Sequence, residues 1–111
     1  MSRQPHQEKR KDERFAKIMP LSLGVADVDF ATQTKNISCG GAYCHVDKYI
    51  EPMTKLAVTL KLPEQKHSIS CKGVVVRTEE AVPTGYNIAI FFNDINPKDR
   101  ELIKQYIHSR T

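Results

Sequence analysis

The chain reads Asn36-Ile37-Ser38-Cys39-Gly40-Gly41 between two segments in which apolar and polar residues alternate. This stretch carries an amide and a hydroxyl two residues apart, on one face of a predicted strand, and then turns on two glycines. Glycine accepts positive φ and lets another group approach the backbone closely, so the pattern is typical of a cradle for a phosphate or a base. The same residue types also form ordinary turns, and both interpretations are open on this stretch alone.

Alternation with period two continues on both sides of the turn and indicates half-buried strands. Pro63 ends the clearest of these strands, and Gly73 marks a bulge or a close approach of the backbone in another. A turn or bulge is expected near Asp27 and Asp29. The predicted strand segments are 21–30, 32–37, 42–46, 56–62, 69–76 and 86–92, with loops at 64–68 and 79–85.

The period changes near the C-terminus, where Asn96-Pro97-x-Asp99 predicts a helix start with an asparagine cap and proline at the first position. The apolar residues that follow fall on one face of a helix over about residues 97–109. Six short strands and one helix, without an internal repeat, predict a mainly β fold. We therefore expect a six-stranded antiparallel β-barrel with a C-terminal α-helix.

The first 14 residues are almost wholly polar and more basic than acidic. Such a segment cannot bury enough apolar surface to order itself, so it is predicted to be a flexible basic N-terminal arm. The domain boundaries expected are thus 1–14 for the arm and 15–111 for the barrel with its helix.

Charge and cysteine content narrow the possible classes of protein. The chain has 111 residues, a formal net charge of +4 and a pI of about 9.0, which favours anionic partners. Three thiols cannot all pair, which indicates a reducing compartment, and no segment has the composition of a signal peptide or membrane span. We therefore expect a cytoplasmic location. Cys39, Cys44 and His45 lack a fourth ligand at zinc-site spacing, so packed cysteines are favoured over a metal site.

Two separated blocks together resemble a known signature. Arg10-x-x-x-Arg14, followed by Asn36-x-Ser38-x-x-Gly41, resembles the motif of PilZ domains, which are receptors for cyclic di-GMP. The resemblance extends to the strand order and the final helix, and it implies the same barrel with a C-terminal helix. It also implies a flexible arm that carries the two arginines.

The resemblance implies a role for each motif residue. Arg10 and Arg14 would close on one ligand, since a guanidinium fork can meet guanine O6 and N7, stack on a base or reach a phosphate. Asn36 would hydrogen-bond a guanine edge, and Ser38 would hold a phosphate or base through its hydroxyl. Gly41 would let the backbone approach the ligand. Asparagine stands where the family also uses aspartate, so the contact to guanine N–H donors would lack a charge.

Two further residues are added to the predicted site, and a third is excluded from it. Lys9, just before the arginine pair, is similar to the extra basic residue of members that bind two ligand molecules, so one or two molecules per protein are expected. Gly40 is added to the site as the first of the two glycines. Arg77, on a later strand, is interpreted as a surface charge and not as a ligand contact.

The predicted function is a cyclic di-GMP receptor or adaptor in bacterial second-messenger signalling, without a cofactor. Its arm would order over the barrel on ligand binding and change a surface that meets an unidentified downstream protein. The alternative is a small basic barrel that binds RNA or single-stranded DNA, but the aromatic residues do not interleave with basic ones along the chain. An enzyme is not expected, since no Ser-His-Asp arrangement, metal cluster or phosphate loop is present and the histidines have no matched partner.

Overall fold

The structure, a computed structural model, describes residues 18–62 and 68–109. The predicted arm, residues 1–14, lies outside these ranges, as does nearly all of the predicted loop 64–68. Within the described ranges, no helix is both long and apolar enough to cross a membrane.

Six antiparallel strands close into a barrel, in the order β1-β2-β3-β6-β5-β4, and one helix follows them. Pairing of β1 with β4, for example Leu21 opposite Leu60, closes the barrel. The predicted mainly β fold, a six-stranded antiparallel barrel with a C-terminal helix, is confirmed. The elements are β1 (Pro20–Val25), β2 (Val28–Ser38), β3 (Gly41–Val46), β4 (Lys55–Leu60), β5 (Ile69–Glu80), β6 (Tyr86–Asp94) and α1 (Pro97–Ser109).

The first hairpin corrects the predicted strand boundaries. Val25 pairs with Val28 across a two-residue loop, Ala26 and Asp27, whose φ angles are 48° and 70°. Two consecutive positive φ values make the tight hairpin turn that matches strand twist. The predicted first strand, 21–30, is therefore two strands, and β2 begins at Val28 and not at residue 32. The turn or bulge expected near Asp27 and Asp29 is confirmed, and it lies at Ala26 and Asp27, although alanine is a poor signal for positive φ.

Two further strand boundaries differ from the predicted ones. β4 ends at Leu60, two residues before the predicted end, and β5 runs to Glu80 through polar residues that were predicted to be a loop. Those polar residues pair with β6, as in Glu80 opposite Tyr86. The predicted irregularity at Gly73 is confirmed, because the pairing register of β5 with β6 shifts between Lys72 and Val74.

Inward-facing apolar side chains of all six strands, together with two residues of the helix, form a single core. The helix begins as predicted: the Asn96 Oδ1 accepts the Lys98 N–H at 2.8 Å, and Pro97 takes the first helical position. The largest side chains that are almost completely buried are Met19, Leu23, Ile37, Val58, Leu60, Leu62, Ile69, Val75, Ile88, Ile90, Phe92 and Ile103. The outer faces of the strands lie outside this core and can therefore form binding surfaces.

Candidate functional site

The turn between β2 and β3 is held by a serine side chain. Ser38 pairs with Gly41, which leaves Cys39 and Gly40 as the turn residues. The Ser38 Oγ accepts the Gly40 N–H at 3.2 Å, and its hydroxyl donates to the Gly41 carbonyl oxygen at 3.5 Å. Ser38 is 0% exposed. In this structure the hydroxyl is therefore engaged in shaping the turn.

Gly41 of β3 packs directly against the backbone of β6. A Cβ at this position would collide with the carbonyl oxygen of Ile90 and would lie 3.5 Å from the Cα of Phe91. The neighbouring Gly40 carbonyl accepts the Phe92 N–H at 2.9 Å. The packing of the barrel alone thus requires glycine at position 41, independently of any ligand.

Asn36 lies at a bulge on the outer side of β2. The register of β2 with β3 shifts between Thr34 and Asn36, and Asn36 then lies opposite Tyr43. Ser38 lies opposite Gly41, so Asn36 and Ser38 leave the strand on the same side, as the sequence predicted. Asn36 is partly exposed whereas Ser38 is buried. Bulges of this kind re-aim side chains next to binding sites.

A threonine that sequence reasoning missed fixes the chain just after the arm. The Thr34 Oγ1 accepts the Met19 N–H at 3.1 Å, and the Thr34 N–H donates to the Met19 carbonyl oxygen at 3.0 Å. Both residues are buried. The sequence does not distinguish this threonine, because it is one polar residue among several. Its role becomes visible only in the register of β2.

The basic residues assigned to the arm, Lys9, Arg10 and Arg14, lie outside the described residues, and their roles stay predictions. The first described residue, Ile18, is 67% exposed and forms one wall of an open cavity of about 690 Å³. The cavity is lined by Ile18, Thr32, Gln33, Thr34, Lys35 and His45. This groove therefore begins at Ile18 and follows β2 as far as Lys35, the residue before Asn36.

Three side chains form a cluster on the barrel surface: Tyr43, Arg77 and Glu79. Tyr43 lies opposite Asn36, on the neighbouring strand β3. The Tyr43 hydroxyl donates to the Glu79 Oε1 at 3.1 Å, and the Arg77 Nε lies 3.0 Å from the Glu79 Oε2. The Arg77 guanidinium carbon lies 5.7 Å from the centre of the Tyr43 ring. An aromatic and a basic residue that are distant in sequence are thus brought together next to the motif strand.

The cysteines are free thiols, of which Cys44 is buried and Cys39 and Cys71 are partly buried. Burial raises the pKa of Cys44 to about 12. The pKa of Cys71 rises to about 11, mainly through burial and also through the nearby Asp99 and Asp94 carboxylates. Across residues 18–62 and 68–109, no group of three or more His, Cys, Asp or Glu side chains is placed to hold a metal ion.

Sequence comparison decides the family. The model of the PilZ domain family matches residues 8–109. The chain belongs to the PilZ family. The match covers the barrel, the helix and both motif blocks of this PilZ domain. No curated protein sequence matches the chain at a significant level.

Solved structures share the fold of this PilZ domain at low sequence identity. The inhibitor of motility MotI/DgrA from Bacillus subtilis superposes with a TM-score of 0.82 at 20% identity, over 92% of this chain and 51% of that one. The YcgR PilZ domain with c-di-GMP from Escherichia coli gives 0.73 at 13% identity, over 91% and 90%. The K. pneumonia MrkH–c-di-GMP complex gives 0.76 at 19% identity, over 92% and 52%. The chain thus spans about half the length of MotI/DgrA and MrkH.

Proposed function

We propose that this PilZ domain is a cyclic di-GMP receptor without enzymatic activity, and that it binds the dinucleotide on the outer side of the β2–β3 hairpin. The YcgR domain and MrkH, which share its fold, were solved with that ligand. The motif residues Asn36, Ser38, Gly40 and Gly41 all belong to this hairpin or its turn. The two arginines and Lys9 would approach from the arm.

The observation that carries the proposal is the pair of hydrogen bonds between Met19 and Thr34. They fix the chain two residues from Asn36 along β2. An extended chain spans at most about 3.3–3.6 Å per residue, so the Cα of Arg14 must lie within about 18 Å of that of Met19. The arm is therefore tethered at the place from which its arginines can reach a ligand held at Asn36.

Each motif residue has a chemical task in this arrangement. The forked guanidinium groups of Arg10 and Arg14 suit guanine edges and phosphates, and the partly exposed Asn36 suits the Watson–Crick edge of guanine. We assign Ser38 first to holding the turn, because its hydroxyl is buried there. Its direct contact with the ligand stays a prediction. Gly41 lets β3 lie close against β6, and the Gly40 carbonyl accepts the Phe92 N–H, so the ligand would meet backbone and not side chain at this turn.

The proposal includes a switch in the arm. Ordering the arm costs roughly 1–2 kcal/mol per residue in backbone entropy. Charge-assisted hydrogen bonds to the ligand, at about 1.5–3 kcal/mol each, can offset that cost. An arm that orders over the barrel only with ligand would change the surface presented to a downstream protein. The existence of such a downstream protein, which the sequence does not identify, and a cytoplasmic location stay predictions.

Titration calorimetry with cyclic di-GMP on three proteins tests the proposal. We expect wild type and Arg3→Ala to bind alike, because Arg3 lies in the arm outside the motif, and Arg14→Ala to lose binding. The fitted stoichiometry distinguishes one ligand molecule per protein from two. Equal binding by wild type and Arg14→Ala would overturn the site, and a wild type that ignores the dinucleotide at physiological salt would overturn the function.

An NMR titration tests the switch separately. We expect cyclic di-GMP to shift the amide resonances of residues 5–15 and 36–41 and to leave those of the helix, residues 97–109, nearly unchanged. Shifts confined to residues 36–41 would mean that the arm takes no part in binding.

A further inference from the structure

We infer that the cluster of Tyr43, Arg77 and Glu79 is a second base-binding subsite of the proposed cyclic di-GMP site, with Arg77 selecting guanine. The inference rests on the proposed function, because it assigns the ligand's second base to a place on the same surface. It reverses the interpretation of Arg77 as a plain surface charge.

The first argument is placement. Asn36 lies opposite Tyr43, Tyr43 opposite Ala89, and Ala89 opposite Arg77, so the four residues form one row across β2, β3, β6 and β5. Neighbouring strands lie about 4.8 Å apart, so the row puts the Arg77 backbone about 14 Å from that of Asn36. The Arg77 side chain extends towards the Tyr43 ring, so its guanidinium lies only about one or two strand spacings from the Asn36 backbone. A ligand with two bases requires two such separate contacts.

The second argument is preorganisation. The Glu79 carboxylate accepts the Tyr43 hydroxyl through one oxygen and pairs with the Arg77 Nε through the other. Both partners are therefore held in one orientation before a ligand arrives. An exposed ion pair adds about 0–1 kcal/mol to stability, so folding alone gives little reason for this arrangement. The register shift between Val75 and Arg77 also marks a bulge, which re-aims the side chain that follows it.

The third argument is chemical. Glu79 contacts the Nε edge of Arg77, which leaves the Nη1–Nη2 edge of the guanidinium outside that contact, on a side chain that is 58% exposed. Two parallel N–H donors match the O6 and N7 acceptors of guanine. Adenine has an N6 donor where guanine has O6, so the same edge would disfavour an adenine. Ala89, which is small and 8% exposed, lies between the two side chains in the row and leaves the Tyr43 ring room to lie along the sheet.

Calorimetry with cyclic di-GMP and cyclic di-AMP tests the assignment on wild type, Arg77→Ala, Arg77→Lys and Arg100→Ala. Arg100 is an exposed arginine on the C-terminal helix, so its removal matches the change in net charge. We expect Arg77→Ala to weaken cyclic di-GMP binding about tenfold, within the range for one bidentate contact. Arg77→Lys should lose nearly as much, since lysine lacks the fork. Binding of cyclic di-AMP should change little in either variant, and Arg100→Ala should behave as wild type.

The outcomes separate this inference from the proposed function. If wild type binds cyclic di-GMP and Arg77→Ala binds it with the same affinity, the subsite is overturned and the proposed function stands. Equal losses for both dinucleotides, or the same loss in Arg100→Ala, would show an effect of charge alone and would also overturn it. A wild type that binds neither dinucleotide would overturn the function and the subsite together. Thermal unfolding of each variant shows that the substitutions leave the barrel folded.

Discussion

Gly41 belongs to the binding motif, yet its backbone lies against that of Ile90, where a Cβ would collide with a carbonyl oxygen. We expect Gly41→Ala to lower the free energy of unfolding by about 1–3 kcal/mol, because backbone atoms cannot move aside as a side chain can. Urea denaturation measures the loss. Any fall in ligand affinity for this variant therefore has to be judged against its stability.

Gly24→Ala is the matched control for that substitution. A Cβ there would meet the Asp29 Oδ1 at 3.2 Å and the Ala57 Cβ at 3.5 Å, and the Asp29 side chain can move away. We expect a change of less than about 1 kcal/mol in either direction. Equal destabilisation by the two substitutions would show that the contact with β6 is not what requires glycine at position 41.

Cys44 predicts a dependence of stability on alkaline pH. Burial raises the pKa of its thiol from 9.0 to about 12, so above pH 9 the folded chain binds this proton more tightly than the unfolded chain. The stabilisation is complete below pH 9 and is lost as the pH rises towards 12. We expect wild type to lose about 1.4 kcal/mol per pH unit relative to Cys44→Val between pH 10 and 11, as measured by urea denaturation. Parallel pH profiles for the two proteins would contradict this.

Along β2, one strand carries the anchor for the arm, the bulge, Asn36 and the turn. Thr34→Val keeps the shape of the side chain and removes the acceptor of the Met19 N–H, which is buried. We expect a loss of about 1–3 kcal/mol in stability. We also expect weaker cyclic di-GMP binding, because the tether of the arm is loosened. Denaturation and calorimetry on the same variant measure the two effects.

Thr59→Val on β4 is the control for this strand substitution, since Thr59 is partly exposed and lies on a strand that pairs with β1 and β5 and not with β2. It should leave both stability and affinity near the wild-type values. If Thr34→Val lowered stability but bound the ligand as wild type does, the anchor would serve the fold and not the arm.

The strand boundaries show which features of the secondary structure the sequence pattern can predict. The helix start at Asn96 and the bulge at Gly73 were predicted, because a cap and a glycine in a strand act locally. The turn near Asp27 was also expected, but its exact residues, Ala26 and Asp27, and the polar end of β5 were missed. Each depends on a strand partner across the sheet, which the local alternation of residues does not report.

For the molecule as a whole, a ligand that joins the arm to the barrel should stabilise the folded state. A ligand that binds only the native state adds RT ln(1 + [L]/Kd), about 2.7 kcal/mol at one hundred times Kd. We expect cyclic di-GMP to raise the unfolding temperature of wild type and to leave that of Arg14→Ala unchanged at the same concentration. A thermal melt followed by circular dichroism measures both. An equal rise in the two proteins would show that Arg14 does not contribute to binding.

The amino-acid sequence by itself determined the barrel class, the C-terminal helix and the PilZ motif blocks, because strand period, capping and motif spacing are local properties. Tertiary structure alone decided what lies next to the motif. Pairing of strands brings together residues far apart in the chain, which places Thr34 on Met19 and brings Arg77 of β5 over Tyr43 of β3. Such contacts depend on register across several strands, and a single-residue shift in register would send each side chain to the opposite face of the sheet.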